Sequence, residues 1–133
     1  MDSLLTIKVE NSKTIRIKCL CSSADRSKKR VITLVYDTGA DKTSITRRTL
    51  EELHYNDFKQ SAQLKRSAQG VFAPEVCFVS ELVIGNQFRL SNFNVDVLEV
   101  ENSPTFDGMI GMDFITQVEN NLSGKNGTLT IRA

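Results

Sequence analysis

The chain has no tryptophan, two prolines, one histidine and three cysteines in its 133 residues. Each scarcity removes a class of chemistry. A Ser-His-Asp or Cys-His hydrolase would have to be built on His54, and one imidazole with few neighbouring thiols makes no zinc centre. His54 ends a stretch that reads as an amphipathic helix, a place for a surface residue rather than a base. Neither Gly-x-Ser-x-Gly nor Gly-x-x-x-x-Gly-Lys occurs, so there is no nucleophile elbow and no phosphate loop. Cys19, Cys21 and Cys77 are an odd, sparse set, unlike a secreted disulfide framework. They are expected to be reduced thiols acting as small apolar strand residues in a cytoplasmic protein. No apolar run approaches the roughly 20 residues needed to cross a bilayer. The opening MDSLLTIKVE does not read as a signal peptide, so no membrane partner is expected and the two Asn-x-Ser/Thr sites carry no consequence. Charge of either sign is not in excess: the formal net charge is +1, which gives nucleic acid no electrostatic hold.

What remains is ordinary globular composition, 40% apolar and 25% charged. Residues 1–133 are expected to form one domain, long enough to bury a core without metal or disulfide. The apolar pattern has period two almost throughout. Leu4–Val9 and Thr14–Leu20 alternate around a polar turn and read as an N-terminal hairpin. Residues 21–30 are polar and end in Lys28-Lys29-Arg30, an exposed loop. Val31–Tyr36 is β-branched and aromatic and reads as a buried strand. Period three appears only after Thr46, where Leu50 and Leu53 lie among charges and Thr46 is a candidate helix cap. Two strand-like arms flank Ser67-Ala68-Gln69-Gly70. Further strands follow over 78–84, 87–100 and 128–132, with turns at Gly85-Asn86 and at Gly124–Gly127. Many short strands with one or two short helices predict an all-β, closed barrel-like domain.

Chemistry is concentrated in Asp37-Thr38-Gly39-Ala40, directly after the apolar strand. By average residue usage such a tetrad arises by chance in roughly one chain in 200 of this length. A carboxylate at the end of a buried strand is costly to ionise unless hydrogen bonds support it. Thr38 can donate and accept, and Gly39 lets backbone approach closely. Asp-Thr-Gly is also ordinary turn chemistry. These four residues alone leave a catalytic loop and a plain turn both open.

About seventy residues later stands Met109-Ile110-Gly111-Met112-Asp113, an apolar-apolar-Gly-x-Asp run. The two motifs in this order resemble the retropepsin family of aspartic proteases and their cellular relatives. The resemblance covers about residues 30 to 131. It implies an acid-protease fold, with Asp37, Thr38 and Gly39 as the catalytic loop and no metal or cofactor. It implies substrate contacts from Gly39, Ala40 and Asp41, a flap over Ala68, Gln69, Gly70 and Val71, and a strand at Met109 and Ile110. Those two residues either line a side-chain pocket or are plain core. Viral members often carry Arg after the second Gly, where this chain has Met112. The resemblance is therefore closer to cellular and prokaryotic members.

Peptide hydrolysis by this route needs two carboxyl groups of unequal protonation, because two carboxylates about 3 Å apart cannot both ionise; the aspartic proteases are the known instance. One acts as general base on a water and the other donates to the carbonyl oxygen. The chain contains one Asp-Thr/Ser-Gly triplet. The second carboxyl is expected from a two-fold homodimer whose two Asp37 side chains meet on the axis. A peptide or protein is the expected substrate. A non-catalytic dimeric peptide-binding module that keeps the fold is the alternative, and a domain that cuts only its own flanking polyprotein is another.

Overall fold

The computed structural model describes residues 3–9, 14–61, 64–67, 70–100 and 105–133. The strands in order are β1 (Leu4–Lys8), β2 (Ile15–Ser22), β3 (Lys29–Tyr36) and β4 (Ser44–Thr46), followed by helix α1 (Arg47–Glu52). Then come β5 (Lys59–Gln60), β6 (Lys65–Ser67), β7 (Gly70–Phe72), β8 (Glu75–Ile84), β9 (Phe88–Leu98) and β10 (Gly108–Ile110). Helix α2 (Met112–Ile115), β11 (Glu119–Ser123) and β12 (Thr128–Arg132) complete the order. The expected all-β domain with short helices is what forms. No helix among the described residues is long and apolar enough to cross a membrane.

Strands run β2-β3-β10-β4-β9-β8, and β8 returns to pair with β2, so six strands close a barrel. Its interior is apolar because the strands alternate. Ile17, Cys19 and Cys21 of β2 face inward with Ile32 and Leu34 of β3 and Val95 and Val97 of β9. Burying this many aliphatic side chains is the main stabilising contribution, roughly 1.5–3 kcal/mol for each large one.

One feature of the order positions the site. Strand β10 lies between β3 and β4, parallel to β3 and antiparallel to β4, although both precede it by more than sixty residues. Gly108 permits this insertion. A Cβ there would stand 2.0 Å from the Ser44 carbonyl oxygen, so only glycine lets β10 lie this close to β4.

Helix α1 starts where the sequence predicts. Thr46 accepts from the Thr49 N–H through its side chain, satisfying one of the first-turn donors. The helix ends when His54 enters the left-handed region at φ 67°; His54 N–H then donates to Glu51 and Tyr55 N–H to Leu50. That reciprocal pair closes the last turn. His54 is exposed at this corner.

Three local readings differ from the structure. The N-terminal hairpin does not form. β1 pairs antiparallel with β12, and β2 pairs with β3 and β8. Leu5 lies opposite Ile131 and Ile7 opposite Leu129, which gives both strands an apolar face to share. β11 completes this three-stranded sheet. Secondly, the 21–30 loop is shorter than expected, because β2 continues to Ser22 and β3 begins at Lys29. The remaining turn is tied by Asp25, which accepts from Ser23 Oγ, Ser27 N–H and Ser27 Oγ, and these bonds hold its carboxyl down at about 2. Thirdly, β3 is buried on one face only: Ile32 and Leu34 point inward while Val31 is 61% exposed. The outer face carries Val31 and Val35 on either side of Thr33, which hides the alternation in the sequence.

Candidate active site

Asp37 is the first residue beyond β3, and its backbone continues the parallel pairing by donating its N–H to the Ile110 carbonyl at 3.0 Å. The chain then turns sharply. Gly39 N–H donates to Asp37 Oδ1 at 2.8 Å and Ala40 N–H to the Asp37 carbonyl at 3.2 Å. A Cβ on Gly39 would approach the same Oδ1 to 3.2 Å, so the glycine clears space for this carboxylate. Asp37 is half-buried, and Thr38 and Gly39 are exposed. The Asp37 side chain therefore stands at the barrel edge with one oxygen fixed by backbone. The neighbouring Tyr36 hydroxyl is buried, and burial pushes it up to about 12, which keeps it protonated.

The loop is locked against the second motif. The first N–H groups of a helix lack partners within it. Here Met112 N–H donates to the Ala40 carbonyl at 2.8 Å and Asp113 N–H to the Asp41 carbonyl at 3.2 Å, so residues 40 and 41 cap α2. The Asp113 carboxylate reaches back. It accepts from Thr43 N–H at 3.0 Å, Thr43 Oγ1 at 2.8 Å and Phe114 N–H at 2.9 Å. Thr43 Oγ1 in turn accepts from Gly111 N–H at 3.1 Å. Gly111 is needed there, since a Cβ would meet the Lys42 backbone at 2.4 Å. The two motifs, seventy residues apart, thus form one hydrogen-bonded unit.

Asp107 secures the other end of β10. Its Oδ2 accepts from Thr33 N–H at 2.9 Å and its Oδ1 from Thr49 Oγ1 at 2.8 Å. Its carbonyl accepts from Thr46 N–H at 2.8 Å. Asp107 therefore braces β3, β4 and α1 and belongs to the scaffold. Thr43 and Asp107 were not singled out from the sequence, and Asp113 was read only as part of the second motif. The Asp of the apolar-apolar-Gly-x-Asp run was visible there, but nothing local names its partner, and Thr43 carries no signal of its own.

Among the residues expected to meet substrate, Asp37, Thr38, Gly39, Ala40 and Asp41 form the loop just described. Gly70 and Val71 lie in β7, which pairs with β6 as a separate two-stranded hairpin, Ser67 opposite Gly70. Val71 is exposed, as is Leu64 before the hairpin. Ala68 and Gln69 lie outside the described residues. Met109 is half-buried between Val35 and Ser44. Ile110 has no exposed surface and is core, so of the two readings left open for it, packing is the one its burial supports.

Comparison with known proteins follows the same outline. No curated protein sequence matches the chain. Among solved structures, a retropepsin-like aspartic protease from Rickettsia conorii superposes with a TM-score of 0.72 at 14% identity, over 99% of this chain and 92% of that one. At that identity the likeness speaks for the fold, which is the retropepsin-like one. The sequence profile described as aspartyl protease matches residues 25–114, more than half of the chain. That stretch is the one that folds into the Asp37 loop and the strand inserted beside it, and the chain belongs to the aspartyl protease family.

Proposed function

We propose that this protein is an aspartic endopeptidase that hydrolyses peptide bonds as a homodimer. The observation that carries the reading is the Asp37 carboxylate, held at the barrel edge by Gly39 N–H, in a chain with one such loop. One carboxylate cannot both accept a proton from water and donate one to a carbonyl in the same step. A second copy related by a two-fold axis supplies the missing group.

In the dimer the two Asp37 side chains share one proton, and their titration belongs to the pair. The ionised member removes a proton from a water between them as that water attacks the peptide carbonyl carbon. The protonated member donates to the carbonyl oxygen, giving a tetrahedral diol. The carboxyl that took the water's proton then gives it to the amide nitrogen while the other carboxylate takes a proton from a diol hydroxyl, so the C–N bond breaks, an acid and an amine leave, and the pair again holds one proton. Gly39 and Asp41 bind the backbone of an extended substrate, and the hairpin around Ala68, Gln69, Gly70 and Val71 closes over it. The three buried free thiols support a reducing, cytoplasmic setting.

The test pairs chemistry with assembly. Wild type and Asp37→Asn are incubated with a randomised peptide library between acid and neutral pH, and both are sedimented. The expected result is cleavage by wild type alone, with both proteins dimeric. Binding of peptides without cleavage by wild type would replace the enzyme with a peptide-binding module. A strictly monomeric wild type that nevertheless cleaves would refute the shared dyad.

A further inference from the structure

Three segments of chain converge on one guanidinium. Arg47 opens α1, and its Nη2 lies 2.6 Å from Glu75 Oε1 and 2.5 Å from Glu99 Oε1. Its Nε donates to the same Glu99 oxygen at 2.7 Å. The guanidinium also stacks 4.8 Å above the Phe58 ring. Glu75 is the first residue of β8, Glu99 follows β9 and Phe58 precedes β5.

Those places surround the root of the β6–β7 hairpin. Among the described residues β5 has two residues and pairs with the first two of β8, Lys59 with Val76 and Gln60 with Glu75. Beyond them, Ser61 N–H donates to the Pro74 carbonyl at 2.8 Å and Gln60 Nε2 donates to the Ala73 carbonyl. From there the chain passes into β6 and β7, which pair with no other strand among the described residues. A hairpin on so short a ladder opens readily unless its base is fixed. Arg47 fixes that base to α1. Helix α1 follows directly on β4, which pairs with β10, the strand whose Ile110 carbonyl holds Asp37 N–H.

A lone exposed ion pair would do little. This guanidinium is 29% exposed, bonds two carboxylates and covers an aromatic face. The planar fork makes that combination possible, and a lysine ammonium cannot reproduce it. Both carboxylates bond the same nitrogen, so without Arg47 they face each other as like charges and push the β8 and β9 ends apart.

We propose that Arg47 is a positioning residue for peptide capture: it sets the base of the Lys65–Phe72 hairpin through Glu75, Glu99 and Phe58. The proposal rests on the peptidase reading only for its kinetic consequence. Arg47→Met is compared with wild type by hydrogen–deuterium exchange and by cleavage of one peptide drawn from the library. Exchange over residues 64–73 is expected to quicken about tenfold, as for loss of one charge-assisted contact from a local opening, while the barrel strands stay unchanged. KM is expected to rise about tenfold with kcat within about twofold. Arg47→Lys should fall between. Unchanged exchange in the hairpin, equal quickening of the barrel, or a fall in kcat at constant KM overturns the proposal. Should Arg47→Met fail to fold, Glu75→Gln carries the same exchange test with a smaller expected change. If wild type cleaves no peptide, the peptidase reading fails, and the exchange measurement still decides whether Arg47 sets the hairpin base.

Discussion

Replacing Gly108 with Ala should break the insertion on which the Asp37 loop depends. The added methyl would sit 2.0 Å from the Ser44 carbonyl oxygen, 2.8 Å from the Ser44 carbonyl carbon and 2.9 Å from Ile45 Cα. Non-bonded carbons prefer about 3.5–4.0 Å. The obstacle is backbone, so no rotamer change relieves it. β10 cannot retreat either, because Leu34 of β3 lies on its other side. β4 and β10 must separate by about 1 Å or more, and a hydrogen bond stretched that far is lost. The pairs at risk are Gly108 with Ile45 and Met109 with Ser44. Each lost bond costs about 1 kcal/mol, and each buried group left without a partner costs about 1–3 kcal/mol. The expected destabilisation is roughly 3–5 kcal/mol. Urea unfolding at one fixed protein concentration measures it, which keeps the comparison valid for the proposed dimer. Gly124→Ala is the control: nothing lies within 4 Å of its added methyl, and a change within about 0.5 kcal/mol is expected. If Gly108→Ala comes within about 1 kcal/mol of that control, the close-approach reasoning is wrong.

Two other predictions test the core and the lock between the motifs. Burial holds the Cys19 and Cys21 thiols up at about 12 and Cys77 at about 11, so alkylation near pH 8 should spare all three in the native protein and modify them in denaturing urea. The folded values lie above the ordinary 9.0, so the thiols' contribution is present below pH 9.0 and is lost as pH rises toward about 12. The stability of wild type relative to Cys21→Ala should accordingly decline above that point, and a constant difference would contradict it. Asp113→Ala removes the acceptor for Thr43 N–H, Thr43 Oγ1 and Phe114 N–H and should cost about 2–4 kcal/mol in urea unfolding. In a double-mutant cycle with Thr43→Val, additive losses would show that the two residues do not act as a unit.

Most local features were legible because they depend on residues within about four positions of each other. Thr46 caps α1 with its own hydroxyl. Gly85 and Asn86 take φ of 59° and 63° and turn β8 into β9, and Gly127 does the same work before β12 at φ 62°. The Asp37 turn is equally local, since Gly39 N–H reaches a side chain two residues back. Strand partners were not legible. The alternation in Leu4–Val9 says that one face is covered, but period two is the same whatever covers it, and the pairing went to β12 rather than β2. Val31 misled for a related reason: an apolar residue on the outer face of a strand looks the same as a buried one in a one-dimensional pattern.

By itself, then, the sequence determined an all-β chain with one or two short helices, a single Asp-Thr-Gly loop and the second motif that marks the family. Only the tertiary structure decided that Asp113 locks Thr43, that Asp107 braces β3 and that Arg47 gathers Glu75, Glu99 and Phe58. The physical reason is that a hydrogen bond or ion pair acts over about 3–4 Å, and the choice of partners across distant stretches of chain is made when the barrel closes.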